Sequence, residues 1–284
     1  MTFEWLFAFV TFAEHRNFTR AAEHLHISQP ALHVQIKKLA ESVGRALYVR
    51  RGRALVLTAE GERLAAYGRE VLDRSDRVLA EIRGETAAGP VVLAAGQGAF
   101  LYLLGPAIRR FPKQRWPLRL LALTGPETID AVRSARAHLG VVALTDPPPP
   151  ELASTRLRAV GQQVVMPASH RLARKRRVAP RDLAGEAIVV APVGSHHRMM
   201  LAQALRVAGS EWSVAVEASG WELMLHFAKA GMGIAVVNDF CTVPRGMIGV
   251  PLDDVPAITY HVLVREPLHA AAAAMRDLVV EVPC

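Results

Sequence analysis

The segment that decides the fold of this chain runs from Phe18 to Gly61 and reads FTRAAEHLHISQPALHVQIKKLAESVGRALYVRRGRALVLTAEG. Thr19 is a predicted N-cap of a first short helix. Ser28 is a predicted N-cap of a second helix, with Pro30 tolerated in its first turn. Two short helices joined by a tight polar turn are typical of a helix-turn-helix, whose second helix enters the major groove of DNA.

The second helix, predicted over residues 31–42, has an apolar face and a polar face. Apolar residues recur at spacings of three and four and are expected in the core: Leu32, Ile36, Leu39 and Val43. The opposite face is polar and is expected to face solvent or DNA: Gln29, His33, Lys37 and Lys38. We expect Gln29, His33 and Lys37, with Pro30 and Ala31 beside them, to meet the major groove.

An arginine-rich hairpin follows the second helix. Gly44 is the predicted helix end, and residues 47–49 and 55–57 are predicted as two short strands. Arg50, Arg51, Gly52 and Arg53 form the predicted tip, where arginines suit phosphate contacts or insertion into a minor groove. Thr58 is a predicted cap of a long helix. The hydroxyls of Thr19, Ser28 and Thr58 complete the predicted DNA contacts.

In this region the chain resembles the LysR-type transcriptional regulators. The matching residues stand at fixed spacings throughout the segment: Phe18-Thr19-x-Ala21-Ala22, Leu25, Ser28-Gln29-Pro30-Ala31, Gln35-Ile36, Leu39, Gly44, Leu47, Arg50 and Leu57-Thr58-x-x-Gly61. The resemblance implies a winged helix-turn-helix that binds double-stranded promoter DNA, a linker helix and a C-terminal effector-binding domain. It also implies a homodimer or homotetramer.

Two residues depart from the family pattern. His33 stands where the family usually has a small hydroxyl residue, and Ala40 stands where it usually has glutamate. His33 could donate to a phosphate or a base edge, and its charge would then vary near neutral pH. The alternative is that His33 lies on a solvated helix face. We favour DNA contact, because Gln29 and Lys37 share that face.

Composition agrees with a nucleic-acid partner. The chain has 284 residues, 51% of them hydrophobic and 21% charged, which excludes a disordered protein. Its net charge of +8 favours a polyanionic partner. Part of the excess lies in a basic run outside the first domain: Arg156, Arg158, Arg171, Arg174, Lys175, Arg176, Arg177 and Arg181. Because no aromatic residues interleave this run, a solvated surface is favoured over a second DNA site.

The remaining composition favours a cytoplasmic protein. Charged residues interrupt the early apolar stretch, so no signal peptide is predicted, and no apolar run reaches the length of a membrane span. The two cysteines, Cys241 and Cys284, do not suggest a disulfide framework. Cys241 is predicted to be a small buried side chain, with a redox-sensing thiol as the alternative.

One uninterrupted helix is predicted from residue 59 to about residue 85. Two apolar series repeat every seven residues along it: Leu64, Val71 and Val78, and Ala65, Leu72 and Leu79, with Ile82 at the end. Such a seam favours pairing with a second copy, and packing against the chain's own first domain is an alternative that can hold as well. Residues 86–90 form a predicted hinge. The predicted boundaries are residues 1–58 for the winged domain and 59–89 for the linker.

From Val91 onward, strands and helices alternate, which implies a parallel sheet with right-handed crossovers. Strands are predicted at 91–95, 118–123, 139–144, 160–166, 187–191, 214–217, 234–237 and 260–264, and helices at 100–111, 127–137, 196–207, 221–230 and 267–279. Two α/β lobes are expected within residues 90–284: lobe I over about 90–159 and 266–284, and lobe II over about 160–265. This part resembles the effector domain of the same family, which is similar to periplasmic solute-binding proteins.

Ligands of such sheets bind beyond the carboxyl ends of the strands, which predicts the effector site. The expected residues are Gly98, Ala99, Phe100, Thr124, Gly125, Ser195, His196, Trp221 and Asn238. Ser195 and Ser219 are predicted helix caps, and their helices would offer free N–H groups to an anion. Phe100, Met199 and Trp221 would make the cavity aromatic, although Phe100 and Met199 could equally lie in a lobe core. We therefore predict a small aromatic or hydrophobic effector, with an acidic group accommodated at the helix ends.

Enzyme motifs are absent from the sequence. Gly96 and Gly98 lack the third glycine of a dinucleotide loop, and Ser195 has no nucleophile-elbow context. His196 and His197 would diverge on a helix, so no metal is expected, and a polar surface feature is favoured for the pair. No catalytic residue and no cofactor are predicted. The prediction is an effector-responsive regulator, and the alternatives are an effector-independent architectural DNA-binding protein and an enzyme or solute receptor that uses the two lobes.

Overall fold

The structure, a computed structural model, describes residues 1–52, 54–83, 89–112, 116–144 and 146–281. Arg53 at the predicted hairpin tip, residues 86–88 of the predicted hinge, and Cys284 lie outside these residues.

The N-terminal domain is a winged helix-turn-helix. Its elements are α1 (Phe3–His15), α2 (Phe18–His24), α3 (Gln29–Val43), β1 (Tyr48–Arg51) and β2 (Ala54–Leu57). Its core is closed by large apolar side chains that are almost fully buried: Phe9, Phe12, Leu32, Ile36, Leu39 and Leu47. The strands pair antiparallel from Tyr48 with Leu57 to Arg51 with Ala54, so the wing includes two of the arginines predicted at its tip.

Two local predictions in this domain are wrong. The N-cap of α2 is Asn17, whose side chain accepts a hydrogen bond from Arg20 N at 3.1 Å, and Thr19 lies within the first turn. Because Asn17 stands directly before the buried Phe18, it reaches the free amide first. Val43 is 41% exposed rather than buried, since it is the last residue of α3, before Gly44 turns the chain with a φ of 71°.

The linker helix α4 (Ala59–Ile82) has a packed half and an open half. Its N-terminal half lies against the winged domain, with Ala65 buried and Gly68 facing Leu6 and Val10. Near its C-terminal end three apolar side chains face outward: Val78 is 46% exposed, Leu79 45% and Ile82 76%. The helix therefore packs on its own domain and also leaves part of its apolar seam uncovered.

Two five-stranded sheets form the C-terminal part. Lobe I has strand order β4-β3-β5-β12-β6 and contains β3 (Val91–Ala95), β4 (Leu118–Ala122), β5 (Leu139–Leu144), β6 (Ala153–Val160) and β12 (Ile258–Val264), with helices α5 (Gly105–Arg110), α6 (Gly125–Arg133) and α9 (Ala270–Val280). Lobe II has order β11-β7-β10-β8-β9 and contains β7 (Gln162–Pro167), β8 (Ala187–Val190), β9 (Ser213–Glu217), β10 (Ile234–Asn238) and β11 (Met247–Leu252), with α7 (His196–Val207) and α8 (Trp221–Lys229).

Each sheet is mixed rather than parallel, which corrects the prediction. In lobe I, β3 pairs parallel with β4 and β5, whereas β12 pairs antiparallel with β5 and β6. In lobe II, β8 pairs parallel with β9 and β10, whereas β7 pairs antiparallel with β10 and β11. The chain crosses between lobes from β6 to β7 and returns through β12, so lobe I regains the chain at Ile258, before residue 266.

The predicted helix over residues 100–111 is broken in two. Ala99–Leu103 forms one π-helical turn, and α5 begins afterwards at Gly105. Pro106 lacks the amide that would continue the first helix, which accounts for the break. A π-helical turn inside a helix often marks a functional site, and this one follows the first strand of lobe I. Within the described residues, no helix has the length and apolar character needed to cross a membrane.

Candidate DNA-reading face and effector cleft

The reading face, defined as Gln29, Pro30, Ala31, His33, Val34 and Lys37, lies exposed on α3. The Ser28 hydroxyl accepts a hydrogen bond from Ala31 N at 3.3 Å and fixes the start of the helix, as predicted. Thr19 Oγ1 lies 3.5 Å from Gln29 Oε1, so α2 positions the glutamine at the N-terminal end of the reading face. N-terminal residues of a recognition helix are those that contact base edges.

His33 stacks on Phe18. The two ring centroids lie 3.6 Å apart and the rings are 15° from parallel. The imidazole thus covers a buried phenylalanine of α2 while its outer side remains exposed. A small hydroxyl residue could not make this contact, so the departure from the family pattern strengthens the packing of α2 on α3.

Val34 was not predicted as part of the reading face. Its side chain is 50% exposed, beside the exposed Pro30 and Ala31. Apolar groups on a recognition helix contact the methyl group of thymine. The signal was present in the sequence, because Pro30 and Val34 are four residues apart and therefore share one side of the helix.

The wing presents Arg50 and Arg51 as exposed side chains. Arg50 Nε donates to Gly52 O at 3.1 Å, which holds the guanidinium close to the turn. Thr58, also predicted to contact DNA, donates from Oγ1 to Ala46 O at 2.7 Å and accepts from Gly61 N at 3.0 Å. Its hydroxyl is therefore engaged within the domain, where it fixes the start of α4.

Most of the basic run lies on the surface of lobe II between β7 and β8, whereas Arg156 and Arg158 lie on β6 of lobe I. Acidic side chains neutralise part of it: Arg171 pairs with Glu186 at 2.7 Å, Lys175 pairs with Asp182 at 2.6 Å, and Arg177 pairs with Asp253. The Arg177 guanidinium beside Asp253 lowers the pKa of that carboxyl. This arrangement fits the predicted solvated surface.

The strand ends of the two lobes meet at Gly98 and Trp221. A Cβ atom on Gly98 would lie 2.3 Å from Trp221 Cδ1, so the indole rests directly on the glycine backbone. Ser195 caps α7 as predicted and accepts from Arg198 N at 3.3 Å, with His196 next to it. Asn238 is buried at the end of β10. Gly98, Trp221 and Asn238 are thus drawn to the region between the lobes.

Other residues predicted for the cleft make contacts within their own lobe. Ala99 is buried in the π-helical turn, and Phe100 packs against the core of lobe I. Thr124 is exposed and forms a capping box with Glu127, directly before Gly125 begins α6. Met199 is 55% exposed, so it does not lie in a lobe core. Ser219 is not a helix cap: Gly220 occupies that position with a φ of 88° and places Ser219 one residue too early.

A buried polar chain between the lobes was not predicted. His197 Nε2 lies 2.9 Å from Gln162 Oε1, Gln162 Nε2 donates to Asn238 Oδ1 at 2.9 Å, and Asn238 Nδ2 donates to Tyr260 Oη at 3.2 Å. Tyr260 belongs to lobe I and the other three residues to lobe II. This row of hydrogen-bonded side chains therefore joins the two lobes close to the strands that cross between them.

His197 is only 7% exposed, so its interpretation as a polar surface feature was wrong. Burial lowers the pKa of His197 to about 3, which keeps its imidazole neutral. The spacing of His197, Leu201 and Leu205 puts all three on the buried face of α7 and could have revealed this. Cys241 is buried, as predicted, and burial raises the pKa of its thiol to about 12.

The linker helix also contacts lobe I. Arg69 Nη1 donates to Ser134 O at 2.7 Å, and its Nε lies 4.0 Å from Glu14 of α1. The next residue of α4, Glu70, pairs with Arg265 at 2.7 Å. Desolvation lowers the pKa of Arg69, whose side chain is only 10% exposed. The winged domain and lobe I therefore meet at the same point of α4.

Asp73, His138 and His269 gather at this junction, with potential metal-ligating atoms within 4.8 Å of one another. The donor set does not fit a metal ion. Nδ1 of His138 accepts from Val92 N at 2.9 Å, and Nδ1 of His269 accepts from Ala272 N at 3.3 Å. A neutral imidazole in that position carries its proton on Nε2, the atom that a metal would need. His138 Nε2, 3.4 Å from Asp73 Oδ2, instead donates toward the carboxylate.

Comparison with known proteins gives matches over nearly the whole chain. Residues 3–62 match the family described as bacterial regulatory helix-turn-helix protein, lysR family, and residues 84–283 match the LysR substrate binding domain. The transcriptional regulator XapR of Escherichia coli K12 is 28% identical over 243 residues, covering 81% of this chain and 80% of XapR. The hydrogen peroxide-inducible genes activator of Pectobacterium carotovorum is 30% identical over 254 residues, covering 83% and 79%.

Solved structures show the same fold. A full-length OxyR variant from Pseudomonas aeruginosa superposes with a TM-score of 0.73 at 24% identity, covering 99% of this chain and 94% of that protein. Full-length CbnR complexed with its target DNA gives a TM-score of 0.62 at 20% identity, covering 100% of both chains. The members of this family are regulators and not enzymes. On the evidence of both matched domains, the chain belongs to the LysR family of DNA-binding transcriptional regulators.

Proposed function

We propose that this regulator binds double-stranded promoter DNA in the cytoplasm as a homodimer or homotetramer, and that a small effector bound between its lobes controls that binding. Gln29, Pro30, Ala31, His33 and Lys37 read the major groove, while Thr19, Arg50 and Arg51 contact the backbone or the minor groove. The observation that carries the proposal is the exposed polar side of α3 on a fully packed winged domain.

The open half of α4 supports self-association. Val78, Leu79 and Ile82 would be covered by the same helix of a second copy. Two winged domains would then address two half-sites of a near-palindromic operator. Arg69, Glu70 and Asp73 of α4 contact lobe I. A movement of the effector domain would therefore change the position of the winged domain. The effector acts only through its preference for one arrangement over another.

A peroxide response like that named for one relative has little support in the described residues. The buried Cys241 thiol, with its pKa raised to about 12, lacks the thiolate that reacts with oxidants. A small molecule held between the lobes is the function that the geometry favours.

Two substitutions on the DNA-binding surface test the proposal. We expect Gln29→Ala to weaken operator binding by about 1–3 kcal/mol and to relax preference at one base position. Arg50→Ala should weaken binding to all sequences and reduce the salt slope by about one. Fluorescence anisotropy with operator and scrambled duplexes at several salt concentrations measures both effects.

Matched controls lie on the effector domain. Gln203→Ala and Arg174→Ala remove an exposed glutamine and an exposed arginine there and should leave operator affinity unchanged. Operator binding that survives Gln29→Ala and Arg50→Ala together would contradict the proposal. Footprints of the wild-type protein with and without metabolites then separate an effector-responsive regulator from an architectural DNA-binding protein, whose footprint would not change.

A further inference from the structure

Aromatic side chains lie between the two lobes. The Tyr102 and Phe240 ring centroids lie 5.9 Å apart, and the Phe240 and Tyr260 centroids lie 5.8 Å apart. The Trp221 indole rests on Gly98 and meets the His197 ring edge-on, with 4.6 Å between centroids. We call Tyr102, Trp221, Phe240 and Tyr260 the aromatic layer. A ligand that enters between the lobes therefore meets rings first.

The polar chain fixes the proton on His197. Asn238 Nδ2 donates to Tyr260 Oη, so Asn238 Oδ1 is the acceptor for Gln162 Nε2. Gln162 then offers only its oxygen to His197, whose Nε2 must carry the proton. His197 Nδ1 keeps its lone pair, and this buried atom has no hydrogen-bond partner among the described residues. A buried acceptor of this kind calls for a donor from a ligand.

Glu222 offers a second acceptor of the same kind. It follows Trp221 in the first turn of α8 and accepts a hydrogen bond from the Tyr102 hydroxyl. Its Oε2 atom is buried and has no hydrogen-bond partner among the described residues. Two buried acceptors without partners are therefore associated with Trp221: His197, whose ring meets the indole, and Glu222, the next residue of α8.

Carboxylates act on two groups beside the aromatic rings. Burial, the hydrogen bond to Glu222 and the charge of that carboxylate raise the pKa of Tyr102. Burial and the charges of Glu222 and Asp239 raise the pKa of the Cys241 thiol. Glu222 and Asp239 are thus the acidic groups that act on Tyr102 and Cys241, and a carboxylate beside aromatic faces favours a cation over an anion.

We propose that the effector of this regulator is a small primary amine. Its ammonium group would pair with Glu222, a donor hydrogen of the same group or of a neighbouring N–H or O–H would reach His197 Nδ1, and its apolar body would lie against Trp221. The inference rests on the proposed function and specifies the ligand class. It replaces the acidic group suggested by the helix ends, because the two buried acceptors and the charge of Glu222 oppose a carboxylate.

The test compares isosteric ligands. Phenethylamine, 2-phenylethanol and phenylacetate, together with aliphatic primary amines and the matching alcohols and acids, are titrated into the full-length protein by calorimetry and thermal shift. We expect at least one amine to bind and stabilise the protein, about tenfold or more tighter than its alcohol, and the matching acid to give no shift. In Glu222→Gln the preference for amine over alcohol should disappear. Glu211→Gln, an exposed acid of lobe II, should keep it.

The ratio of amine to alcohol affinity separates recognition from stability. A Glu222 that only supported the fold would change both affinities together and leave the ratio intact, which would overturn the proposal. Tighter binding of acids, or binding of neither class, would overturn it as well. Operator binding is measured on the same samples. Loss of operator affinity in Gln29→Ala, together with a failed amine titration, rejects the amine alone, whereas unchanged affinity in that variant rejects the proposed function.

Discussion

The reading face of α3 and the buried polar chain between the lobes both present a glutamine and a histidine, in opposite environments. Gln29 and His33 are exposed, and few protein contacts hold them. Gln162 and His197 are buried, and each hydrogen bond in their chain determines the next. Polar groups that read a wet DNA groove must remain free to meet base edges and water, whereas groups that hold a small ligand need a fixed donor and acceptor pattern.

We expect operator binding by the winged domain and ligand binding between the lobes to be lost independently of each other. The substitution with the largest expected effect is Gly61→Ala. A Cβ atom at this position would lie 1.9 Å from the Leu47 carbonyl oxygen, a backbone atom that cannot swing away. We expect a loss of about 3 kcal/mol or more in the stability of the winged domain. Operator binding should be lost while ligand binding between the lobes persists.

Hydrogen exchange measured by mass spectrometry checks that result region by region. Gly105→Ala in lobe I, where a Cβ atom would meet only the flexible end of the Arg109 side chain at 3.2 Å, is the control for a glycine substitution. Loss of protection in both lobes of Gly61→Ala would show that the regions are not independent.

An acid titration tests the buried His197 of the polar chain between the lobes. The pKa of His197 is about 3 in the folded chain and about 6.5 in the unfolded chain. Below pH 6.5 His197 therefore binds a proton in the unfolded chain but not in the folded chain. Its contribution to the free energy of unfolding is fully present above pH 6.5 and decreases as the pH falls. At pH 5 the loss from this group is about 2 kcal/mol. Urea unfolding of the wild type and of His197→Gln should show a pH dependence smaller by that amount in the variant.

His226→Gln, which removes an exposed imidazole of α8, is the matched control. Equal pH dependence in the wild type and in His197→Gln would mean that the buried histidine is not held neutral.

The smallest expected effect comes from a substitution on the exposed reading face. Val34→Ala should weaken operator binding by about 1 kcal/mol, because the side chain loses two methyl groups that can cover a thymine methyl. Operators with uracil in place of thymine, one position at a time, identify the base. At that position the replacement should weaken wild-type binding and leave the variant unaffected. Additive losses at every position would exclude the contact.

All of the reading face except Val34 was predicted from the sequence, whereas the aromatic layer was not, for a physical reason. Ser28, Gln29 and Lys37 belong to one helix, whose periodicity and cap are local properties. The aromatic layer joins Tyr102, Trp221 and Tyr260, which no periodicity relates. The mixed sheets escaped prediction for the same reason, since strand direction in β12 depends on how the chain returns from lobe II. His197 was predicted at the surface because it forms an adjacent pair with His196. Its spacing of four residues from Leu201 places it on the buried face of α7 instead.

Geometry at the middle of α4 has a mechanical consequence. Arg69 touches the winged domain and lobe I at once, and Asp73 extends the same contact. From Asp73 back to the first residue of α4, Ala59, the axis measures roughly 21 Å. A tilt of about 10° about that pivot would move the helix start by roughly 4 Å, close to the spacing of about 3.4 Å between successive base pairs. A small rotation of lobe I would therefore be enough to move each winged domain along its half-site by about one base-pair step.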